Sequence, residues 1–165
     1  MSTKERAAQM RKEFKANGWN ARKIGVRTEY FSMGSAIHVT VRDASVDCNK
    51  AKEIAGGFER IDRCEISGEI LSGGNCYLHF GLADKVKETL TAPILPAVEA
   101  ALEEVKGLDE TSTALVSVNG TGTLVGRDMT GWGVNLRGDK TTGCRRYPLD
   151  EHGARAIALD IALLK

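Results

Sequence analysis

Between Ile24 and Val41 the sequence alternates twice, and no other feature limits the possible folds as strongly. Ile24, Val26, Thr28 and Tyr30 interleave with Gly25, Arg27 and Glu29. After Ser32-Met33-Gly34-Ser35, Ile37, Val39 and Val41 interleave with His38, Thr40 and Arg42. Successive side chains of a strand point to opposite faces, so a period of two separates an apolar face from a polar one. Two such runs around a glycine-containing break predict a half-buried antiparallel hairpin. Its solvent face would carry Arg27, Glu29, His38, Thr40 and Arg42.

On either side the period lengthens to three and four. Ser2 and Glu5 have the spacing of a capping box, and Ala7, Met10 and Phe14 line one helical face behind it. Gly18 supplies a stop, with Trp19 placed to fold back on the helix end. Asp47 caps a second helix with Ala51, Ile54, Ala55 and Phe58 inward. Residues 66–71 predict a short strand, and Cys76, Leu78, Phe80 and Leu82 a longer one. A helical stretch over 83–90 precedes a second helix striped by Leu95, Val98, Leu102 and Val105 and ended by Gly107.

Beyond the polar link 108–112 the texture turns to β. Residues 114–118 run into Asn119-Gly120, a strong hairpin signal. Strands follow over 121–127, 132–137 and 144–147, and Asp150 caps a last helix with Ala154, Ile157, Ala158 and Ile161 inward. The fold class is therefore α+β, antiparallel sheets with helices packed on one face. The pattern fits one continuous domain, or two small α/β halves spanning 1–107 and 108–165.

With 165 residues, 42% of them hydrophobic, the chain can bury a substantial core. No apolar run approaches the ~20 residues that span a bilayer, and no apolar stretch follows the charged N-terminus. A cytoplasmic protein without membrane contact is the expectation. Cys48, Cys64, Cys76 and Cys144 form no C-x-x-C pair, which predicts reduced thiols.

The motifs that carry chemistry fail on geometry. Gly120-x-Gly122-x-x-x-Gly126 precedes a strand, whereas a phosphate loop opens a helix. A zinc site drawn from Cys64, Cys76, His79 and either His38 or Cys144 needs Cys76 and His79 on one face, which a regular strand forbids and only a bulge would allow. There is no G-x-S-x-G elbow and no cysteine in a basic or helix-start setting. His38 and His79 would approach each other beside Tyr77, Thr40 and Arg42 if their strands are neighbours, giving a surface with acid–base potential. His152 and the acidic pairs Glu103-Glu104 and Asp109-Glu110 read as solvated. The expectation is a protein that is not an enzyme and needs no cofactor or metal.

Charge is segregated along the chain. Residues 1–27 hold eight Lys or Arg against two Glu, residues 43–110 seven basic against fourteen acidic, and residues 127–146 five against two. Arg11, Lys12, Lys15, Arg22, Lys23 and Arg27 form one basic cluster, near Trp19 and Tyr30. Arg137, Lys140, Arg145 and Arg146 form another, near Trp132 and Tyr147. Cations beside aromatic rings suit DNA or RNA, and the acidic middle could occupy a nuclease's DNA channel as a polyanion mimic. Charge reversal at Arg145 and Arg146 is expected to leave folding nearly untouched, as exposed positions usually do.

Several stretches carry a resemblance: Met10-Arg11-Lys12-Glu13-Phe14-Lys15, Val26-Arg27-Thr28, the segment 30–39 with its Gly34-Ser35-Ala36-Ile37 turn, and the segment 51–59 ending Phe58-Glu59. Over its first 80 or so residues the chain resembles a small domain of the large polyvalent proteins of phages and conjugative plasmids. That family has no assigned chemistry. The resemblance implies a protein of a mobile genetic element, acting by direct binding on a host defence nuclease complex in the anti-CRISPR or anti-restriction manner. The alternative it leaves is a nucleic-acid-binding accessory protein of the same elements.

Overall fold

A computed structural model describes residues 1–71, 74–106, 113–118, 121–128, 131–136, 145–148 and 150–164. The fold is α+β, with two compact units, Met1–Val86 and Lys87–Lys165.

In the first unit, helix α1 (Thr3–Ala16) is opened by the capping box: Ser2 accepts from the Glu5 amide and Glu5 accepts from the Ser2 amide. Its buried stripe is Ala7, Met10 and Phe14. Gly18 takes φ +80°, and Trp19 returns to pack its ring 6.1 Å from that of Phe14. Strands β1 (Ile24–Phe31) and β2 (Gly34–Val41) pair antiparallel as expected, with Ile24 opposite Val41 and Phe31 opposite Gly34. Helix α2 (Cys48–Gly56), capped by Asp47, carries the chain across to strand β3 (Cys76–Leu82).

β3 lies beside β2 and parallel to it, with His38 opposite His79. A helical crossover joins two strands in the same direction, so the hairpin becomes a mixed sheet in the order β1-β2-β3. Helices α1 and α2 pack on the face lined by Ile37, Val39 and Val41.

Residues 66–71, expected as a strand, are not one. The Gly68 amide donates to the Cys64 carbonyl in a tight turn, Gly68 takes φ +71°, and Ile66 is 98% exposed. Ser67-Gly68 interrupts the alternation, and a single bridge from Arg63 to Ile70 remains. Asn75 was not foreseen as structural, yet it is 2% exposed and ties this segment down. Its side-chain carbonyl accepts from the Asp62 amide at 2.8 Å and its amide donates to the Leu71 carbonyl at 2.7 Å. Its backbone carbonyl accepts from both the amide and the hydroxyl of Ser35. Gly34, at φ +153°, sits so close to that carbonyl that an added Cβ would lie 2.9 Å from it. The turn is thus seated on the start of β3.

Helix α3 (Asp84–Thr91) contains the division between the units, which falls after Val86, and the link 108–112 lies outside the described residues. In the second unit, helix α4 (Leu95–Lys106) joins the sheet β4 (Thr113–Val118), β5 (Thr121–Asp128), β6 (Gly131–Leu136) and β7 (Arg145–Tyr147), antiparallel throughout in that order. α4 belongs here because Val98, Ala101, Leu102 and Val105 share a core with Val116, Val125, Trp132 and Val134. Val118 pairs with Thr121, and the Asn119-Gly120 turn between them lies outside the described residues. Gly122 and Gly126 of the glycine run lie within β5 itself, and Gly120 lies outside the described residues. Helix α5 (Glu151–Ala162), capped by Asp150, closes the same face with Ala154, Ile157, Ala158 and Ala162 buried. Ile161 is only partly buried.

Candidate nucleic-acid interface

Alternation in β1, β2 and β3 places one set of side chains on the sheet face opposite α1 and α2. Across that face run three rows: Glu29, Ala36 and Tyr77; Arg27, His38 and His79; and Gly25, Thr40 and Gly81. Phe31, opposite Gly34 and one row beyond Glu29, has its ring 6.0 Å from that of Tyr77 and stacked on it. Ala36, whose small side chain leaves room for the rings, is buried at their side. The imidazoles of His38 and His79 stack in the same way, centroids 4.8 Å apart. Two stacked ring pairs therefore sit side by side on one exposed face.

The carboxylate of Glu29 holds this surface in place. Its Oε2 lies 2.7 Å from His38 Nε2 and 3.8 Å from the Arg27 guanidinium. Chemically the arrangement is an imidazole oriented by a carboxylate, but His38 has only Glu29 as a hydrogen-bond partner among the described residues. The site's evident capacity is to stack and to hold charge.

The first basic cluster lies around the free edge of β1. Arg11, Lys12, Lys15, Arg22 and Arg27 are exposed, and Lys23 is half-buried with its Nζ 3.0 Å from Ser45 Oγ. Trp19, near this cluster in the sequence, packs back on the helix end against Phe14 as expected and so is not an exposed ring for stacking. Tyr30 is 57% exposed, with Phe31 at 45% and Met33 at 65% beside it. Phe31 and Tyr77, the actual stacked pair, went unrecognised because an apolar residue ending an alternating run is usually core.

The second cluster does not form as expected. Arg137 and Lys140 lie outside the described residues. Trp132 and Tyr147 are buried in the core of the second unit. Arg146 is exposed, while Arg145 pairs with Asp160 at 2.9 Å. Tyr147 donates its hydroxyl to the same carboxylate, and burial, then that bond, pushes its ionisation well above the usual range. Charge reversal at Arg145 is therefore not neutral. Arg145→Glu would set a carboxylate against Asp160 and should cost about 1–2 kcal/mol, measured as a lower denaturation midpoint, because a partly exposed pair is worth up to about 1 and its inversion a similar amount.

Cys76 and His79 face opposite sides of β3, and among the described residues no group of three or more His, Cys, Asp or Glu could hold a metal. Cys64 departs from its expected inertness. Bonds from the Ser67 hydroxyl and amide, and from the Ile66 amide, draw its thiol down to about 7. The thiolate is the reactive form, so its share rises through neutral pH. Iodoacetamide should label Cys64 ahead of buried Cys48 and Cys76, at a rate that climbs between about pH 6 and 8 and then levels. Peptide mapping of a brief labelling reaction reads this directly.

Compared with known proteins, the chain matches no family model, no curated sequence and no solved structure. No helix among the described residues is long and apolar enough to cross a membrane.

Proposed function

We propose that the chain is a non-enzymatic binding protein of a phage or plasmid that takes single-stranded nucleic acid on the open sheet face of its first unit. The observation that carries this reading is the pair of adjacent ring stacks, Phe31 on Tyr77 and His38 on His79, on a face edged by Arg27 and the β1 cations. Bases have π-faces whatever their sequence, and a basic rim supplies the phosphate contacts that stacking lacks. Residues 1–86 carry fourteen Lys or Arg against eleven Asp or Glu, and eight of those cations fall within residues 1–27. A modest net charge therefore hides a concentrated one.

The test is fluorescence anisotropy of a labelled 20-mer of oligo-dT or oligo-U against the full chain at low salt. Binding that falls linearly on a log–log plot against salt supports the reading; no binding at low salt rejects it.

A second reading is supported by the apolar tip of the β1–β2 hairpin. Tyr30, Phe31 and Met33 stand exposed together, and aromatic residues and methionine are enriched at protein interfaces. On this reading the protein docks on a host defence nuclease complex and inhibits it. Co-purification with such a nuclease that is lost in Met33→Glu would favour it over the first.

A further inference from the structure

We infer that the groove between α1 and the free edge of β1 is a phosphate seat. This rests on the nucleic-acid reading only for the source of the phosphate, since the groove's own geometry calls for an anion. The groove encloses about 350 Å³ and is lined by three cations, Arg11, Lys15 and Arg42, over a floor that includes Trp19 and Gly25.

Both guanidinium groups are anchored without being neutralised. Arg11 Nη2 donates to the Val26 carbonyl at 2.7 Å, and Arg42 Nη1 lies 3.5 Å from the Ala21 carbonyl. Among the described residues, no carboxylate lies within ion-pair distance of Arg11, Lys15 or Arg42. Backbone carbonyls fix the direction of each fork and leave its charge and remaining N–H groups for a ligand. A guanidinium presents paired donors that match phosphate oxygens, and one already oriented loses little freedom on binding.

Gly25 is what lets Arg42 lie there. A Cβ on residue 25 would come 2.6 Å from Arg42 Nη2 and 2.7 Å from its Cζ. Gly25 belongs to the row of Thr40 on the open face, so the Arg42 guanidinium lies over residue 25 at the sheet edge, where it also lines the groove. A strand stacked on the rings has this seat at its flank. The Arg11 contact also occupies one carbonyl of the β1 edge, which would otherwise invite strand pairing.

Two measurements on the full chain separate this proposal from the reading it builds on. In the first, inorganic phosphate is titrated while the Gly25 amide, the Trp19 indole and the Arg11 and Arg42 side-chain resonances are followed by NMR. Saturable shifts at these groups, abolished in Arg11→Gln/Lys15→Gln/Arg42→Gln, are expected. No shift at tens of millimolar phosphate, or shifts unchanged in the triple variant, would overturn the seat.

In the second, oligo-dT carrying a 5′-phosphate is compared with the same oligomer ending in a hydroxyl. A gain of tenfold or more assigns the seat to a terminal phosphate, and equal affinity with a salt slope shallower by about two in the triple variant assigns it to internal ones, at roughly 0.7 per contact for single strands. Equal affinity with an unchanged slope overturns the seat and leaves the nucleic-acid reading standing. Phosphate shifts without any oligomer binding sustain the seat and reject that reading. Gly25→Ala keeps every charge and should displace the Arg42 fork alone, reducing phosphate affinity several-fold; wild-type affinity in that variant counts against the proposal.

Discussion

Truncating Phe31 and Tyr77 together to alanine is expected to weaken binding of a single-stranded oligomer by about 5- to 150-fold. The range follows from ~1–3 kcal/mol for each base stacked on an aromatic side chain. The fold should tolerate the change. Phe31 is close to half exposed and Tyr77 is partly buried, so the loss is mainly the ring–ring contact, about 1 kcal/mol of stability. Tyr30→Ala, on the opposite face of the same strand, removes a comparable ring and should change oligomer binding far less. Anisotropy titrations at one salt concentration, paired with denaturation midpoints, separate the two effects. Equal losses in both variants would point to the hairpin tip as the contact and favour a protein partner.

The largest effect on stability is expected at Gly153. It lies in the first turn of α5, where the Asp150 carboxylate accepts from the amides of His152 and Gly153. An alanine Cβ there would come 2.0 Å from the Pro148 carbonyl oxygen and 3.4 Å from the Trp132 ring. Replacing a helical glycine with alanine ordinarily stabilises by about 1 kcal/mol. Here the obstacle is backbone, which cannot rotate aside as a long side chain can. The helix would have to lift from Pro148 and Trp132, at a cost of about 3 kcal/mol or more, so the clash outweighs the propensity. Gly56, in α2, gives the opposite sign: nothing lies within 4 Å of its added Cβ, and Gly56→Ala should stabilise by up to about 1 kcal/mol. Thermal unfolding of the two variants should therefore move in opposite directions.

Local chemistry was legible from the sequence wherever one element sufficed. The capping box at Ser2 and Glu5, the stripe of Ala7, Met10 and Phe14, the β1–β2 hairpin and the Asp47 and Asp150 caps each follow from spacing within a few residues. The apposition of His38 and His79 was conditional on their strands being neighbours, and strand adjacency is a long-range property that periodicity does not carry. Its resolution, a parallel β2–β3 pair across the α2 crossover, also decides that Tyr77 meets Phe31.

What the sequence obscured were groups whose role depends on a distant partner. Trp132 read as an available ring beside basic residues, yet it had apolar surface to bury and joined a core. Arg145 read as a surface cation, but Asp160 on α5 and the Tyr147 hydroxyl claim it as structure. Cys64 follows Arg63 in the sequence, but its activation comes from the Ser67 and Ile66 groups of the Cys64–Gly68 turn, which the alternation of 66–71 disguised as strand. Asn75, the most deeply tied polar side chain of the first unit, has no motif at all.

Ultraviolet crosslinking of the full chain to a thiouridine-substituted oligo-U, followed by mass spectrometry of the crosslinked peptides, tests the central claim most directly. The sheet-face account predicts adducts at Phe31, Tyr77 or His79, depleted in the Phe31/Tyr77 double alanine variant. Crosslinks confined to residues 87–165, or none under conditions where the oligomer binds, would contradict it.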